Sequence, residues 1–422
     1  MSQKIYESVV CPGCSCLCDD IDLVVEDDRV VSLSNICTWG ITKFVMGKKF
    51  RHDKERSRLR RPVLQRNGGR QEVSYRVATR EAADVLARSK RVLIYGLTHS
   101  SYAAQEQGVR LARRLHARLA PADGALIYYF NRAFEQHGRT LVTLEQIRDQ
   151  ADVLIFWGAN PIHSCPRLVA RYSVFARGHF TERGFEDRQA FSVDLAPTEM
   201  DTLSQMVILP EGRDLESLTA LEHVLAGEKP PAYGGKLKEV QRLVQALQGG
   251  SFGVIFCGRG ILYSGEPERV LAALFQLSRS LADRLPLVLM PMATDYNANG
   301  LYQALLREGA TAGEPELVTS DLLTWEFTDE DAILAVGGDL LWFLRDEQRS
   351  ILSERNIPIV SVSAFADRTT AAARIVLPAA ITGVEAEGIA YRMDGLPLAL
   401  HKVLETTYPS DHEILAGIGA YL

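Results

Sequence analysis

Four cysteines spaced Cys11-x2-Cys14-x3-Cys18-x18-Cys37 dominate the start of the chain, and five of its seven cysteines fall within residues 11–37. This spacing constrains the fold. Three thiols confined to one tight loop and a fourth from a separate turn converge when a bound metal draws them together. Thiolates are the soft ligands that iron–sulfur clusters and zinc select. The x2–x3 triplet suits a [4Fe-4S] cluster held by Cys11, Cys14, Cys18 and Cys37. Zinc is the alternative, although its usual two-plus-two spacing leaves the triplet unexplained. In either case the metal can staple the segment whether or not electrons pass through it. Cys16 lies between the ligands and is surplus to this count.

The chain has 422 residues, 46% of them hydrophobic and 24% charged, which is enough to bury the cores of two or three domains. A net charge of -6 gives no affinity for nucleic acid, whose polyanionic backbone demands clustered Lys and Arg. The one basic run, from Lys48 through Arg56 and on to Arg58, Arg60 and Arg61, reads as a solvated linker or a docking face for a partner subunit. There is no charged-then-apolar leader and no long apolar run, so neither export nor a membrane span is expected. Cysteines clustered at one end fit a reducing cytoplasm better than a disulfide framework.

Along the chain, residues 1–62 form the cysteine segment. In it, Ile21–Val25 and Arg29–Leu33 flank the acidic turn Glu26-Asp27-Asp28 as a β-hairpin. Thr79 is placed to cap a helix from Glu81 to Lys90, and Ala103 to Leu119 has helical spacing of Val109, Leu111, Leu115 and Leu119. Short continuous apolar runs then alternate with helices: 91–96, 152–158, 190–194 and 206–210, and later 253–258, 286–290, 332–338, 358–362 and 374–378. Such runs predict α/β units whose parallel sheets are covered by helices on both faces. The sequence order predicts a first unit at 63–226, a crossover linker with one helix at 227–250, and a second, related unit at 251–422.

In parallel sheets a ligand sits beyond the carboxyl ends of the strands. Gly158 and Asn160 follow one apolar run and Gly337 and Gly338 another, where backbone amides can approach phosphates. Asp194, at a strand end, is placed to accept from ribose hydroxyls. The plainer reading is that these glycines merely turn the chain. His99, His163 and His179 have no paired-histidine spacing, so no zinc hydrolase site is indicated. Cys257, inside an apolar run, reads as a small buried hydrophobe.

The amino-terminal cysteines, the two α/β units and the later stretch Leu377-Pro378-Ala379 with Val384-Glu385-Ala386-Glu387-Gly388-Ile389-Ala390-Tyr391-Arg392 resemble the molybdopterin oxidoreductase superfamily. Within it, the segments Trp157-Gly158-Ala159-Asn160-Pro161, Phe175-Ala176-Arg177-Gly178 and Glu385-Ala386-Glu387-Gly388 resemble the B subunit of formylmethanofuran dehydrogenase, and the resemblance runs along essentially the whole chain. It implies two Rossmann-like units that hold a tungsten or molybdenum bis-pterin, with a four-iron cluster near the amino terminus. The family reaction it implies is the interconversion of carbon dioxide and formate. The redox members bind their metal through a cysteine followed by histidine, and an arginine on a later loop assists.

Those three positions fall here on Leu126, Ile127 and Ala293. Cys165 is the one cysteine near enough in sequence to stand in as a metal ligand, but it follows a strand whose counterpart is not the ligand. The resemblance therefore implies the B subunit of a non-redox formyltransferase/hydrolase complex in one-carbon metabolism of methylotrophs with methanofuran. That subunit would have no catalytic residues of its own and no molybdopterin or tungstopterin. Its partners would be amidohydrolase-like A, C and formyltransferase D subunits. The alternative is an active tungsten or molybdenum oxidoreductase with a different metal ligand or none.

Overall fold

Seven short apolar runs become strands in which every residue is buried, as expected where helices cover both faces of a parallel sheet. The structure is a computed structural model that describes residues 3–45, 58–66, 69–122, 124–138, 141–309, 316–317, 326–327 and 329–422. Of the basic run, Lys48 to Arg56 lies outside the described residues.

In chain order, β1 (Gln3–Val9), β2 (Ile21–Glu26) and β3 (Arg29–Ser34) precede α1 (Thr38–Phe44). Then come β4 (Val63–Arg66), β5 (Gly69–Glu72), α2 (Tyr75–Arg88), β6 (Val92–Gly96), α3 (Tyr102–Arg114) and β7 (Arg118–Ala120). Next are α4 (Gly124–His137), β8 (Val153–Trp157), β9 (Gln189–Asp194), β10 (Gln205–Ile208), β11 (Gly253–Cys257) and β12 (Leu287–Pro291). The chain continues with β13 (Ala332–Val336), β14 (Ile359–Ser363), β15 (Ile375–Pro378), β16 (Gly388–Tyr391) and β17 (Pro397–Leu400), followed by the helix Asp411–Tyr421.

The strands do not sort into sheets by halves of the chain. Residues 1–125, 295–392 and 397–422 form a first unit, and residues 126–294 with 393–396 form a second. The boundaries expected at 62, 226 and 250 are corrected accordingly. The first unit holds a seven-stranded sheet of order β5-β4-β15-β14-β13-β6-β7, in which β6 from early in the chain pairs in parallel with β13. The second holds a fully parallel sheet of order β10-β9-β8-β11-β12. The expected linker helix is Leu237–Gly249. It connects β10 to β11 of this one sheet and buries Val240, Leu243, Val244 and Leu247. It is an ordinary crossover within a sheet, because parallel strands need a long return connection.

The amino-terminal hairpin forms as expected, with β2 antiparallel to β3 and Asp27 and Asp28 in the left-handed region that a tight turn needs. Two helix limits differ. Ser74, not Thr79, caps α2 by accepting from the Val77 N–H, and Thr79 is buried one turn inside. α3 stops at Arg114, so that Leu119 lies in β7. Leu119 and Ala120 are both buried there, and over so short a stretch apolar spacing does not separate strand from helix.

One arginine in each unit, half-buried in the first and buried in the second, ties distant segments together. In the first unit, Arg58 donates to Glu385 Oε2 at 2.7 Å and to the carbonyls of Ala364 and Ala379, and its guanidinium lies 4.0 Å from the Tyr408 ring centroid. The Glu385 oxygen also accepts from the Ile381 N–H. Glu385 is thus a structural anchor, and Arg58, the first described residue of the basic run, is bound to the fold. In the second unit, Arg188 donates to the carbonyls of Ala151, Arg148 and Ala176 and to Thr181 Oγ1. Burial lowers its pKa to about 10. These bonds hold the Phe175–Gly178 segment in place.

Removing one member of a buried ion pair leaves the other charge uncompensated. Glu385→Ala is therefore expected to destabilise the first unit by about 3 kcal/mol or more. Urea unfolding of the full chain, followed by circular dichroism, measures this. An unchanged midpoint would remove Glu385 from its structural role.

Candidate functional site

The cysteine loop closes on itself. The Cys11 N–H donates to the Cys18 carbonyl at 2.8 Å and the Leu17 N–H to the Cys14 carbonyl at 3.0 Å. Leu17, between these bonds, takes a left-handed φ of 40°. Cys37 arrives from the other side as the residue that precedes α1. Cys11, Cys14 and Cys18 are buried and Cys37 is half-buried. Burial pushes the Cys11 thiol well up, and the neighbouring Cys14, Cys18 and Cys37 push it further, so the four expected ligands share one neighbourhood.

A Cβ on Gly40 would stand 2.7 Å from Cys11 Sγ and 2.6 Å from Ile36, so only glycine fits against that sulfur. Clustered buried thiolates repel one another unless a cation lies among them, which suits a metal cluster. Cys16, surplus by sequence, belongs to the same loop: it is fully buried, and its Sγ lies within 4.8 Å of Cys14 Sγ. Its spacing of two from Cys14 is the only sequence signal for this.

At the carboxyl ends of the five-stranded sheet, Gly158 has φ of +56° and packs backbone to backbone on Gly260, where a Cβ would meet Gly260 Cα at 2.8 Å. Its N–H is given to the Val193 carbonyl and its own carbonyl accepts from the Gly260 N–H. Glycine is required here for close packing, and the amide is already engaged. Asn160 Nδ2 donates to Glu199 Oε2, and His163 Nε2 lies 2.9 Å from Glu199 Oε1. The Glu199 carboxyl is held down at about 2 by His163 first, then by its own backbone N–H and Asn160. Asp194 is partly buried, which raises its pKa, and accepts from the Leu195 N–H. Trp157 Nε1 donates to the buried Asp214, whose pKa burial also raises.

In the first unit, the Gly337 amide is likewise engaged, by the Val362 carbonyl, and Gly338 packs against Tyr95. Beside Gly337, His99 Nε2 lies 3.0 Å from Asp295 Oδ1, while Thr98 Oγ1 donates to Asp295 Oδ2 at 2.5 Å. Burial alone would raise the Asp295 pKa, but the His99 and Thr98 contacts, with Lys43 nearby, hold it down at about 2. Further along, burial lifts Asp411 to about 6 against the hydrogen bond from the His412 N–H.

Leu126, Ile127 and Ala293, the residues that the family resemblance leads one to expect at the redox positions, are all three buried. Leu126 packs in the apolar core of the second unit with Phe130 and Val153. None of these three side chains offers a donor atom to a metal. Cys165 is fully buried, and its thiol approaches the Ala293 carbonyl at 3.5 Å. Cys257 is buried in β11 as expected, and burial pushes its thiol up.

No family model matches the sequence. Solved structures define the class: the fold is that of the molybdopterin-type oxidoreductases. Acetylene hydratase from Pelobacter acetylenicus matches with a TM-score of 0.66 at 13% identity, covering 99% of this chain and 69% of its own. The formyltransferase/hydrolase complex of Methylorubrum extorquens, solved with methylofuran, matches through a chain with a TM-score of 0.63 at 18% identity, covering 85% of this chain and 97% of its own. Curated relatives narrow this to a family. The B subunit of tungsten-containing formylmethanofuran dehydrogenase 2 from Methanocaldococcus jannaschii is 32% identical over 95% of this chain and 94% of its own. Its namesake from Methanococcus maripaludis is 32% identical over 98% and 97%. The chain belongs to the family of formylmethanofuran dehydrogenase B subunits. Among the described residues, no helix is long and apolar enough to cross a membrane.

The raised Asp411 gives a pH dependence with a definite sign. Its folded pKa of about 6 lies above the usual carboxylate value of about 3.9, so the folded form binds the extra proton. The resulting stability is fully present below about pH 4 and is lost as pH rises to about 6, in all about 3 kcal/mol. Denaturant titrations from pH 4 to 7 are expected to show this decline in the native protein and a shallower one in Asp411→Asn. Equal slopes would remove Asp411 as the source.

Proposed function

We propose that this chain is the B subunit of a formyltransferase/hydrolase-type complex. It serves there as a non-redox scaffold in the one-carbon route that carries formyl groups on methanofuran to formate. The observation that carries this reading is the buried apolar set Leu126, Ile127 and Ala293 at the positions that serve the metal in redox members. Family membership and likeness to a chain of the Methylorubrum complex support it. Chemistry on the formyl group then belongs to the amidohydrolase-like A, C and formyltransferase D partners, in the cytoplasm. The chain contributes docking surface and a rigid frame.

In this reading Cys11, Cys14, Cys18 and Cys37 hold a [4Fe-4S] cluster. When bound, such a cluster supplies cross-linking and one-electron capacity. Here the cross-link is what matters, because it joins the loop before β2 to the start of α1. If a nucleotide is held by the second unit as well, Asp194 and the Asn160 side chain are its contacts there, since the Gly158 amide is engaged.

The second reading, an active tungsten or molybdenum bis-pterin oxidoreductase, is favoured by the tungsten-containing relatives. Metal analysis of the anaerobically purified complex separates the two. The scaffold reading expects about four irons per chain, the content of one cubane, and neither tungsten nor molybdenum. Cys14→Ser or Gly40→Ala is expected to lose most of the iron and to impair assembly. Stoichiometric tungsten or molybdenum, or formate oxidation with an artificial acceptor, would overturn it. In that event, full activity of a Cys165→Ser/Cys257→Ser variant would show that neither thiol holds the metal.

A further inference from the structure

A scaffold must grip its partners somewhere, and the free edge of the five-stranded sheet is equipped for it. β12 ends that sheet, and β11 is its one strand partner among the described residues. The Gly253 N–H bonds to the Pro286 carbonyl, and the Met292 N–H bonds to the Cys257 carbonyl. Peptide groups alternate in direction along a strand, so residues 286, 288, 290 and 292 face β11 while Leu287, Leu289 and Pro291 face outward. Two of these three are incomplete. The Leu287 carbonyl accepts from Ser278 Oγ, and Pro291 has no N–H to give. Leu289 alone turns both a donor and an acceptor to the edge.

A cavity of about 220 Å³ opens beside Leu289, between the last turn of α4 and the last turns of the helix Pro267–Ser280. Its floor is apolar: Phe134 and Phe275, with ring centroids 6.0 Å apart, meet the side chains of Leu287 and Leu289 in one core cluster. A dry cavity of about 150 Å³ already accepts a benzene ring. Arg279, exposed at the mouth, donates to His137 Nδ1 at 3.4 Å, and the His137 ring stacks on Phe275. Among the described residues no carboxylate pairs with Arg279, so its charge stands uncompensated beside an apolar hole.

We propose that this edge receives an extended segment of a partner subunit, in which one aromatic residue fills the cavity while its own N–H and C=O exchange hydrogen bonds with Leu289. This rests on the scaffold reading and gives its docking surface a partner chemistry. An antiparallel hydrogen-bonded pair needs only one residue on each side for both bonds, which is what β12 offers. Directly opposed residues send their side chains to the same face, so the residue opposite Leu289 points its ring toward Phe134 and Phe275. Side chains two positions away share that face, where a carboxylate meets Arg279. A free aromatic acid would satisfy the cavity and the cation but leave both Leu289 peptide groups unused, which favours a peptide.

The test uses the full chain, free of partners, and the blocked peptide acetyl-Glu-Thr-Phe-Thr-Glu-amide with a fluorinated phenylalanine, followed by fluorine NMR. Its resonance is expected to shift and saturate with the native chain and to bind about threefold more weakly to Arg279→Gln, which removes a rim charge. Unlabelled peptide should displace it. A version methylated on the phenylalanine nitrogen should compete about tenfold less well, because the Leu289 carbonyl then loses its donor. A version with alanine at the centre should not compete. These peptides leave the protein unaltered, so folding does not enter the comparison. In the purified complex the edge is filled, and the labelled peptide should not bind. The proposal is overturned if the native chain leaves the resonance unmoved, or if the methylated or alanine peptide competes equally. It is also overturned if fluorobenzoate displaces the peptide at equal concentration (a site for free aromatic acids), or if the complex binds the peptide as the free chain does. Failure of the scaffold reading would appear in the metal content of the complex and would leave the free chain's titrations unchanged.

Discussion

The parallel pairing of β6 with β13 is the constraint on which the first unit depends. Val92–Gly96 lies beside Ala332–Val336 residue for residue, and the Leu97 N–H extends the ladder to the Val336 carbonyl. These two strands sit in the interior of a seven-stranded sheet although more than half of the chain separates them from one another. The whole second unit, residues 126–294, is therefore an excursion that must leave and return without disturbing that register. A parallel register allows no slip, because both faces of each strand are buried and a shift of one residue would exchange them.

The same pairing places the chemistry. It brings the segment after β6, with Thr98 and His99, beside the turn after β13, with Gly337. Asp295 then enters as the chain returns from the excursion. The cysteine loop leans on this region too: Val10 and Leu17 pack with Tyr296, Ala390 and Leu400 in one small apolar cluster. A metal cross-link among the cysteines would thus brace the residue next to Asp295.

The sequence made the strands legible because branched apolar runs of four to six residues, ended by glycine or proline, have few other uses in a chain of this composition. It did not make their pairing legible. Runs such as Val153–Trp157 and Ala332–Val336 carry no mark of partner, so sequential halves are the simplest assumption, and the sheets are built otherwise. The cysteine neighbourhood is readable from spacing alone, whereas Cys16 and the fit of Gly40 against Cys11 need coordinates. Nothing in its motif marks Glu385 as a structural anchor, because a sequence cannot show that Arg58 lies against it. Arg188 has no local pattern at all: apart from Thr181 Oγ1 its partners are backbone carbonyls, which every residue offers equally. For Gly158 and Gly337 both readings are on view in the sequence, and the engaged amides favour the plainer one.

The interleaved strand order also bears on synthesis at the ribosome. The second unit is nearly continuous in the chain and can close its five-stranded sheet as soon as residue 291 has emerged. The first unit cannot. β4 through β7 are made early, but β13, β14 and β15, which join them, follow only after the second unit. Until then β6 presents an unpaired, apolar edge to solvent, the kind of edge that recruits other chains. The nascent subunit is thus most vulnerable not while its cysteine loop is empty but while the second unit is being translated, and a chaperone or an early partner that covers β6 would act in that interval.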